Sequence, residues 1–248
     1  MTHFDYSEKE YLVREDLSQA YNEVWERIAA PGNWWTGQDR VAIAAEVRAA
    51  QDCPLCKERK AALSPFSTKG SHTVCTNLPD VAIDAVHRVV TDVSRLTESW
   101  LSECVEKGLS HEQYIELLGI VVGVVSIDAF HRALGFELEP LPEPISGEPD
   151  RYRPETARKG DAWIATISAG RANDKERDLY DGMPQTGNVV SAMSLVPNSV
   201  RILRTLASVQ YLDTKDVINP SKNGNRKISR AQMEMLAGRV SALSSCFY

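Results

Sequence analysis

Two cysteines three residues apart, Cys53 and Cys56 in "QDCPLC", are the residues in this chain best suited to chemistry. At a helix start or end, that spacing puts both sulfurs on one face. They can then close a disulfide, and helix-terminal N–H groups or a nearby cation can hold one of them as a thiolate. This is the arrangement for thiol–disulfide exchange. In a peroxidase, one thiolate attacks the peroxide O–O bond and becomes a sulfenic acid, and the second thiol condenses with it to a disulfide. The chemistry also needs one group to take the thiol proton and another to protonate the leaving oxygen. A metal reading competes: Cys53-x2-Cys56-x15-His72-x2-Cys75 has passable zinc-ligand spacing. The pair sits at the end of an Ala-rich helical pattern rather than in a tight knuckle. That favours redox chemistry, so neither a metal nor an organic cofactor is expected. Cys104, in the helical pattern "WLSECVEKG", is expected to be buried packing.

A further cysteine closes the last helical pattern, "KISRAQMEMLAGRVSALSSCFY". Laying position 246 over position 53, a shift of 193, puts "TGQDRVAIAAEVRAAQDCPL" on "SRAQMEMLAGRVSALSSCFY". The candidate N-caps Thr36 and Ser229 coincide. Ala44, Val47, Ala49 and Cys53 fall on Ala237, Val240, Ala242 and Cys246. Two copies of one helical module are therefore expected. The first copy continues to Cys56. The second reads Cys246-Phe247-Tyr248 and ends one residue before the matching position. This points to a motif interrupted at a selenocysteine, whose UGA codon otherwise reads as a stop; a frameshift or a natural end is the alternative. The codon after Tyr248 checks that expectation.

With Ser241, Ala242 and Leu243 before the cysteine and aromatics after it, the terminal stretch resembles the alkyl hydroperoxidase D-like family. That family also contains the carboxymuconolactone decarboxylases. The resemblance implies a Glu twelve residues before the first cysteine of C-x-x-C and a His four after the second. Glu234 stands twelve before Cys246, and the partner cysteine and His would fall past Tyr248. The first half is similar in "RVAIAAEVRAAQDCPLC" and "GLSHEQYIELLGIVVGVVSIDAFHRALG", with departures. Val41 occupies the Glu position and Lys60 the His position. Glu46, seven before Cys53 on the same helix face, is the substitute, with His72, His87 or His131 completing a proton relay. Asp84 lies three before His87, and Asp128 three before His131; each could fix a histidine tautomer.

The resemblance implies an all-α fold and a thiol- or selenol-dependent peroxidase or disulfide oxidoreductase. Its catalytic candidates are Cys53, Cys56, Cys246, Glu234, Glu46, His131 and His87. Its partners would be a hydroperoxide, a thiol reductant and at least one further copy of the chain. Two rivals remain. One is a decarboxylase-like lyase on the same fold, which needs no cysteine pair. The other is a zinc-stabilised structural or binding protein using Cys53, Cys56, His72 and Cys75.

The elements that must position these residues read as helices almost throughout. "REDLSQAYNEVWERIAA" spaces Leu17, Tyr21, Val24, Trp25 and Ile28 helically. "QDRVAIAAEVRAAQDC" follows the break at "PGNWWTG". "LPDVAIDAVHRVVTDVSRLTESWLSECVEKG" makes one or two helices ending at Gly108. A capping-box pattern of Ser110 and Gln113 opens the next helix, which closes at Gly135 and is apolar nearly all round from Leu117 to Val125. Pro140, Pro142, Pro144, Pro149 and Pro154 exclude helix and central strand, so 140–160 reads as an extended linker between modules 1–139 and 161–248. "DKERDLYDG", "NVVSAMSLVPNSVRILRTLASVQYLD" and the terminal segment supply further helices. Trp34, Trp35, Met183, Met193, Met233 and Met235 are expected as core or interface fillers.

Composition limits the rest. Hydrophobic residues make up 43% and charged residues 25% of 248, as in soluble globular proteins. The net charge is −6 and no Lys/Arg cluster stands out, which argues against a nucleic-acid surface. The polar start "MTHFDYSEKEYL" is unlike a signal peptide. The apolar run "LLGIVVGVV" is far short of the roughly 20 residues of a membrane span. Five cysteines, an odd count, argue against a disulfide framework, and a cytosolic protein is expected.

Overall fold

In a computed structural model, residues 3–180, 187–224, 226–244 and 246 are described. Among them the only β-type pairing is an isolated antiparallel bridge between Arg158 and Thr166. Everything else regular is helical, as expected. Helix α1, Glu15–Ala29, buries Leu17, Tyr21, Val24, Trp25 and Ile28. Helix α2, Gly37–Ala50, opens on a capping box in which Thr36 accepts from the Asp39 amide and Asp39 accepts from the Thr36 amide. Helix α3, Pro54–Ala61, starts at once after it, with Cys53 at its N-cap and Pro54 in its first turn. The long pattern that follows is two helices, α4 (Asp80–Asp92) and α5 (Glu98–Glu106), separated by a 3-10 turn at Val93–Arg95.

Helix α6, His111–Leu134, has the predicted Ser110/Gln113 capping box and ends at Gly135, whose φ of 70° is left-handed. That backbone favours glycine because it carries no Cβ. The second half adds a 3-10 turn at Arg177–Tyr180, α7 (Asn188–Ser191), α8 (Pro197–Gln210), α9 (Thr214–Val217) and α10 (Arg230–Leu243). Pro197 lacks an amide proton, so it opens α8 and divides the apolar run around it.

Helix α6 is the centre of the packing, with α1, α2, α4 and α8 against it. By length and composition it could cross a membrane, yet half of its apolar window is buried inside the protein. Gly119 lets α8 approach: a Cβ there would lie 2.6 Å from Ser199 Oγ and 2.9 Å from Ser199 Cα. The Ser199 hydroxyl donates to the Ile115 carbonyl at 3.0 Å across the same contact. Gly119→Ala should therefore destabilise by about 1–3 kcal/mol through overpacking, read as a lower thermal midpoint.

The Pro-rich stretch is extended and is tied along its length to the first half. Trp25 Nε1 donates to the Pro140 carbonyl at 2.9 Å, the Ile145 amide to Ala29 at 2.8 Å, and the Arg151 amide to Asn33 at 2.8 Å. Ala157 near its end and Ile164 and Ile167 beyond it are buried in a core that runs from Phe4 to Leu206.

Under the 193-residue shift, the bounds of α2 fall on those of α10, and both helices open on a capping box. Their surroundings differ. Ile43, Val47 and Ala50 of α2 are buried, whereas Leu236, Val240 and Leu243 of α10 are 54%, 62% and 79% exposed. Trp35, Met193 and Met233 are buried fillers and Trp34 is partly buried, but Met235 is exposed. Met183 lies outside the described residues. Cys104 is buried packing, as expected.

Candidate functional site

Four segments meet around the cysteine pair. The α2–α3 junction carries Cys53 and Cys56, both buried. The loop 62–78 brings in His72. Helix α4 supplies His87, and α2 supplies Glu46, seven residues before Cys53. Cys56 Sγ lies 3.3 Å from His87 Nδ1 and 3.6 Å from His72 Nδ1, and Cys53 Sγ lies 3.6 Å from His72 Nδ1. The two imidazole rings are 4.3 Å apart, centroid to centroid.

Each histidine is held from behind by a carboxylate. His87 Nε2 lies 3.0 Å from Glu46 Oε2, both residues being fully buried. Glu46 Oε1 accepts from the Cys75 amide at 3.0 Å and the Thr76 hydroxyl at 2.7 Å. His72 Nε2 lies 2.9 Å from Asp84 Oδ1, which also accepts from Arg59 at 2.7 Å. With both Nε2–H groups donated to carboxylates, both Nδ1 atoms face the sulfurs. Cys56 also lines a cavity of about 190 Å³ with Gln51, Lys57, Lys60, Val90 and Thr91.

The electrostatics follow from these contacts. Burial works against ionising Cys56, but hydrogen bonds from His72 and His87 and the His87 charge bring its pKa down to about 6. Cys53 is lowered too: burial opposes this, while the amides of Cys56 and Thr73 and the His72 ring outweigh it. His72 is pushed up to about 10, against burial, by Asp84 and both sulfurs. His87 is raised against burial by Cys56 and Glu46. Glu46 is lowered against burial by Thr76, His87 and the Cys75 amide. By contrast, partial desolvation and Glu46 push Cys75 up to about 11, although the residue is exposed overall. These shifts favour a thiolate and an imidazolium side by side.

No protein-family model, curated protein or solved structure matches this chain. The site therefore stands on its own geometry.

Of the sequence candidates, Cys53, Cys56, Glu46 and His87 come together. His131 is buried elsewhere: its Nδ1–H donates to the Glu137 carbonyl at 2.6 Å, and its Nε2 accepts from the Tyr6 hydroxyl at 2.7 Å. Both its nitrogens are thereby engaged. Asp128 does not orient it but holds Arg48 through two bonds of 2.8 and 2.9 Å. Asp84 orients His72 rather than His87, because His87 turns its Nε2 to Glu46. Glu234 is half exposed and takes the Tyr211 hydroxyl at 2.5 Å and the Arg230 guanidinium. Cys246 is exposed, and Phe247 and Tyr248 lie outside the described residues. Cys75 is also exposed and touches the site only through Glu46, by its amide and its thiol.

His72 was marked by metal-ligand spacing and as one of three relay histidines, and Arg59 and Thr76 not at all. One signal was available for Glu46. In "AIAAEVRAA" it is the single carboxylate in phase with Ile43, Val47 and Ala50, which is where a helix faces the core.

Proposed function

We propose that the first-half pair acts as a thiol-dependent peroxidase or disulfide oxidoreductase, with Cys56 as the attacking thiolate and Cys53 as the resolving thiol. The observation that carries this reading is the buried chain Glu46–His87–Cys56, with Cys56 itself among the residues that line a cavity. A hydroperoxide entering from the cavity meets the Cys56 thiolate. The sulfur takes the near oxygen to become a sulfenic acid, and the O–O bond breaks. The departing alkoxide takes a proton from an imidazolium, His87 or His72, and leaves as the alcohol. The Cys53 thiolate then attacks Cys56 Sγ, hydroxide leaves and is protonated to water, and the disulfide forms. A dithiol reductant, supplying two electrons and two protons, restores the pair.

Glu46 is a positioning residue here: it keeps His87 oriented and charged. The decarboxylase-like rival leaves this cluster without a task. A reducing compartment such as the cytosol suits the reading, since all five cysteines are free thiols. The uncovered stripe Leu236, Val240 and Leu243 on α10 suits self-association.

The test is stopped-flow reaction of the reduced chain with hydrogen peroxide across pH. Cys56 is lowered, so its thiolate is present above about pH 6. The rate should rise through pH 6 and stay flat above it. An ordinary thiol would instead keep climbing through about pH 8.5. Glu46→Gln should cut the rate about 100-fold and move the inflection upward, because the imidazolium beside the sulfur loses its counter-charge. Parent-like rates in both Cys53→Ser and Cys56→Ser would end the proposal.

A further inference from the structure

We infer that Cys53, Cys56, His72 and His87 also form a tetrahedral site for one divalent cation of the zinc class, filled while both thiols are reduced. The four donor atoms all lie within 4.8 Å of one another. A tetrahedral zinc has Zn–S near 2.3 Å and Zn–N near 2.0–2.1 Å, which places neighbouring S and N donors about 3.5–3.6 Å apart. The three sulfur–nitrogen separations here are 3.6, 3.6 and 3.3 Å. His72 Nδ1 is equidistant from both sulfurs, and a single N–H cannot point at two acceptors well. A cation at the centre gives that position a reason.

The outer contacts agree. Each histidine turns Nδ1 inward and anchors Nε2 on a carboxylate, Glu46 for His87 and Asp84 for His72. Carboxylate-backed imidazoles are the usual support of metal-bound histidines, because the carboxylate fixes the tautomer and strengthens the donor. Two thiolates balance a divalent charge, and two thiolates with two imidazoles complete four-coordination. The site is therefore closed, holding rather than activating. It would pin three segments together: the α2–α3 junction, the loop carrying His72, and α4. The fourth donor is His87 from α4, not Cys75 as sequence spacing suggested.

Metal binding does not rest on the peroxidase reading, but its release does. One hydroperoxide and two protons, acting on the two metal-bound thiolates, give the disulfide, an alcohol, water and the freed cation. The cation thus masks the nucleophile until peroxide displaces it.

The experiment is titration of the reduced, metal-stripped full chain with Co²⁺, followed by visible absorption. The expected result is one equivalent bound, with the intense d–d bands of tetrahedral thiolate-ligated cobalt, displaced by Zn²⁺. Cys75→Ser should bind like the parent. Cys53→Ser, Cys56→Ser and His87→Gln should each lose about 100-fold or more in affinity, with their helical circular dichroism checked in parallel. A parent showing only the weak octahedral spectrum overturns the inference. So does a Cys75→Ser loss as large as that of Cys56→Ser. Peroxide is then added to the cobalt-loaded parent. Bleaching in step with disulfide formation supports the release step. Stable bands leave the metal site standing and overturn the release step.

Discussion

Cys56→Ser is expected to abolish reaction with hydroperoxides, by about 1000-fold or more in second-order rate, while Cys53→Ser keeps the first turnover. The asymmetry comes from position. Cys56 contacts both imidazoles and lines the cavity, whereas Cys53 contacts His72 alone. A serine hydroxyl at 56 stays protonated at any working pH, so neither imidazolium can hold it as an anion, and the nucleophile is lost outright. Cys53→Ser leaves the Cys56 thiolate and its proton donors in place. It should react once and stall as a sulfenic acid, trapped by dimedone and seen by mass spectrometry. The reverse pattern, with trapping on Cys53, would exchange the two roles. Trapping on Cys75, Cys104 or Cys246 alone would move the chemistry out of this site.

The second large effect is structural. Glu116→Ala should destabilise the chain by about 3–5 kcal/mol. In a chain of this size that lowers the thermal midpoint by roughly 10 °C. Arg40 and Glu116 form an ion pair between α2 and α6, with side chains only 3% and 2% exposed. Glu116 also accepts the Trp34 amide at 2.6 Å, and Arg40 donates to the Arg27 carbonyl at 2.9 Å. Removing the carboxylate strands a buried guanidinium and an unpaired amide together, and each carries its own desolvation cost. The double variant Arg40→Met with Glu116→Leu removes both charges and should recover much of the loss. Because the pair fixes where α2 lies on α6, Glu116→Ala should also loosen Cys53 and Cys56 at the end of α2. Differential scanning fluorimetry of the single and double variants checks this; equal losses in both would show that the charge itself is not what matters.

Much of the architecture was legible in the chain because it is local. The capping boxes at Thr36, Ser110 and Ser229 satisfy helix-end amides with side chains three residues apart. Gly135 ends α6 through its own backbone freedom. The apolar spacing of α1 names the face it buries. The cysteine pair was legible for the same reason, since three residues at a helix start suffice to bring two sulfurs together.

The partners of that pair were not legible, because nothing local selects them. Spacing along α4 favoured Asp84 as the support of His87. Packing of α2 against α4 gave His87 to Glu46 and left Asp84 to His72, 12 residues away along the loop. Spacing along α6 likewise favoured Asp128 for His131, yet a guanidinium from α2 takes that carboxylate in two bonds. A buried carboxylate goes to whichever donor the neighbouring helix presents, and a charged bidentate donor outcompetes a single ring N–H. The two stretches matched by the 193-residue shift show the same division. Their local sequence set the matching ends of α2 and α10, but only the tertiary structure decided that α2 would be covered and α10 left open. Local hydrogen bonding fixes where helices begin and end; which of their side chains meet depends on contacts between segments far apart in the chain.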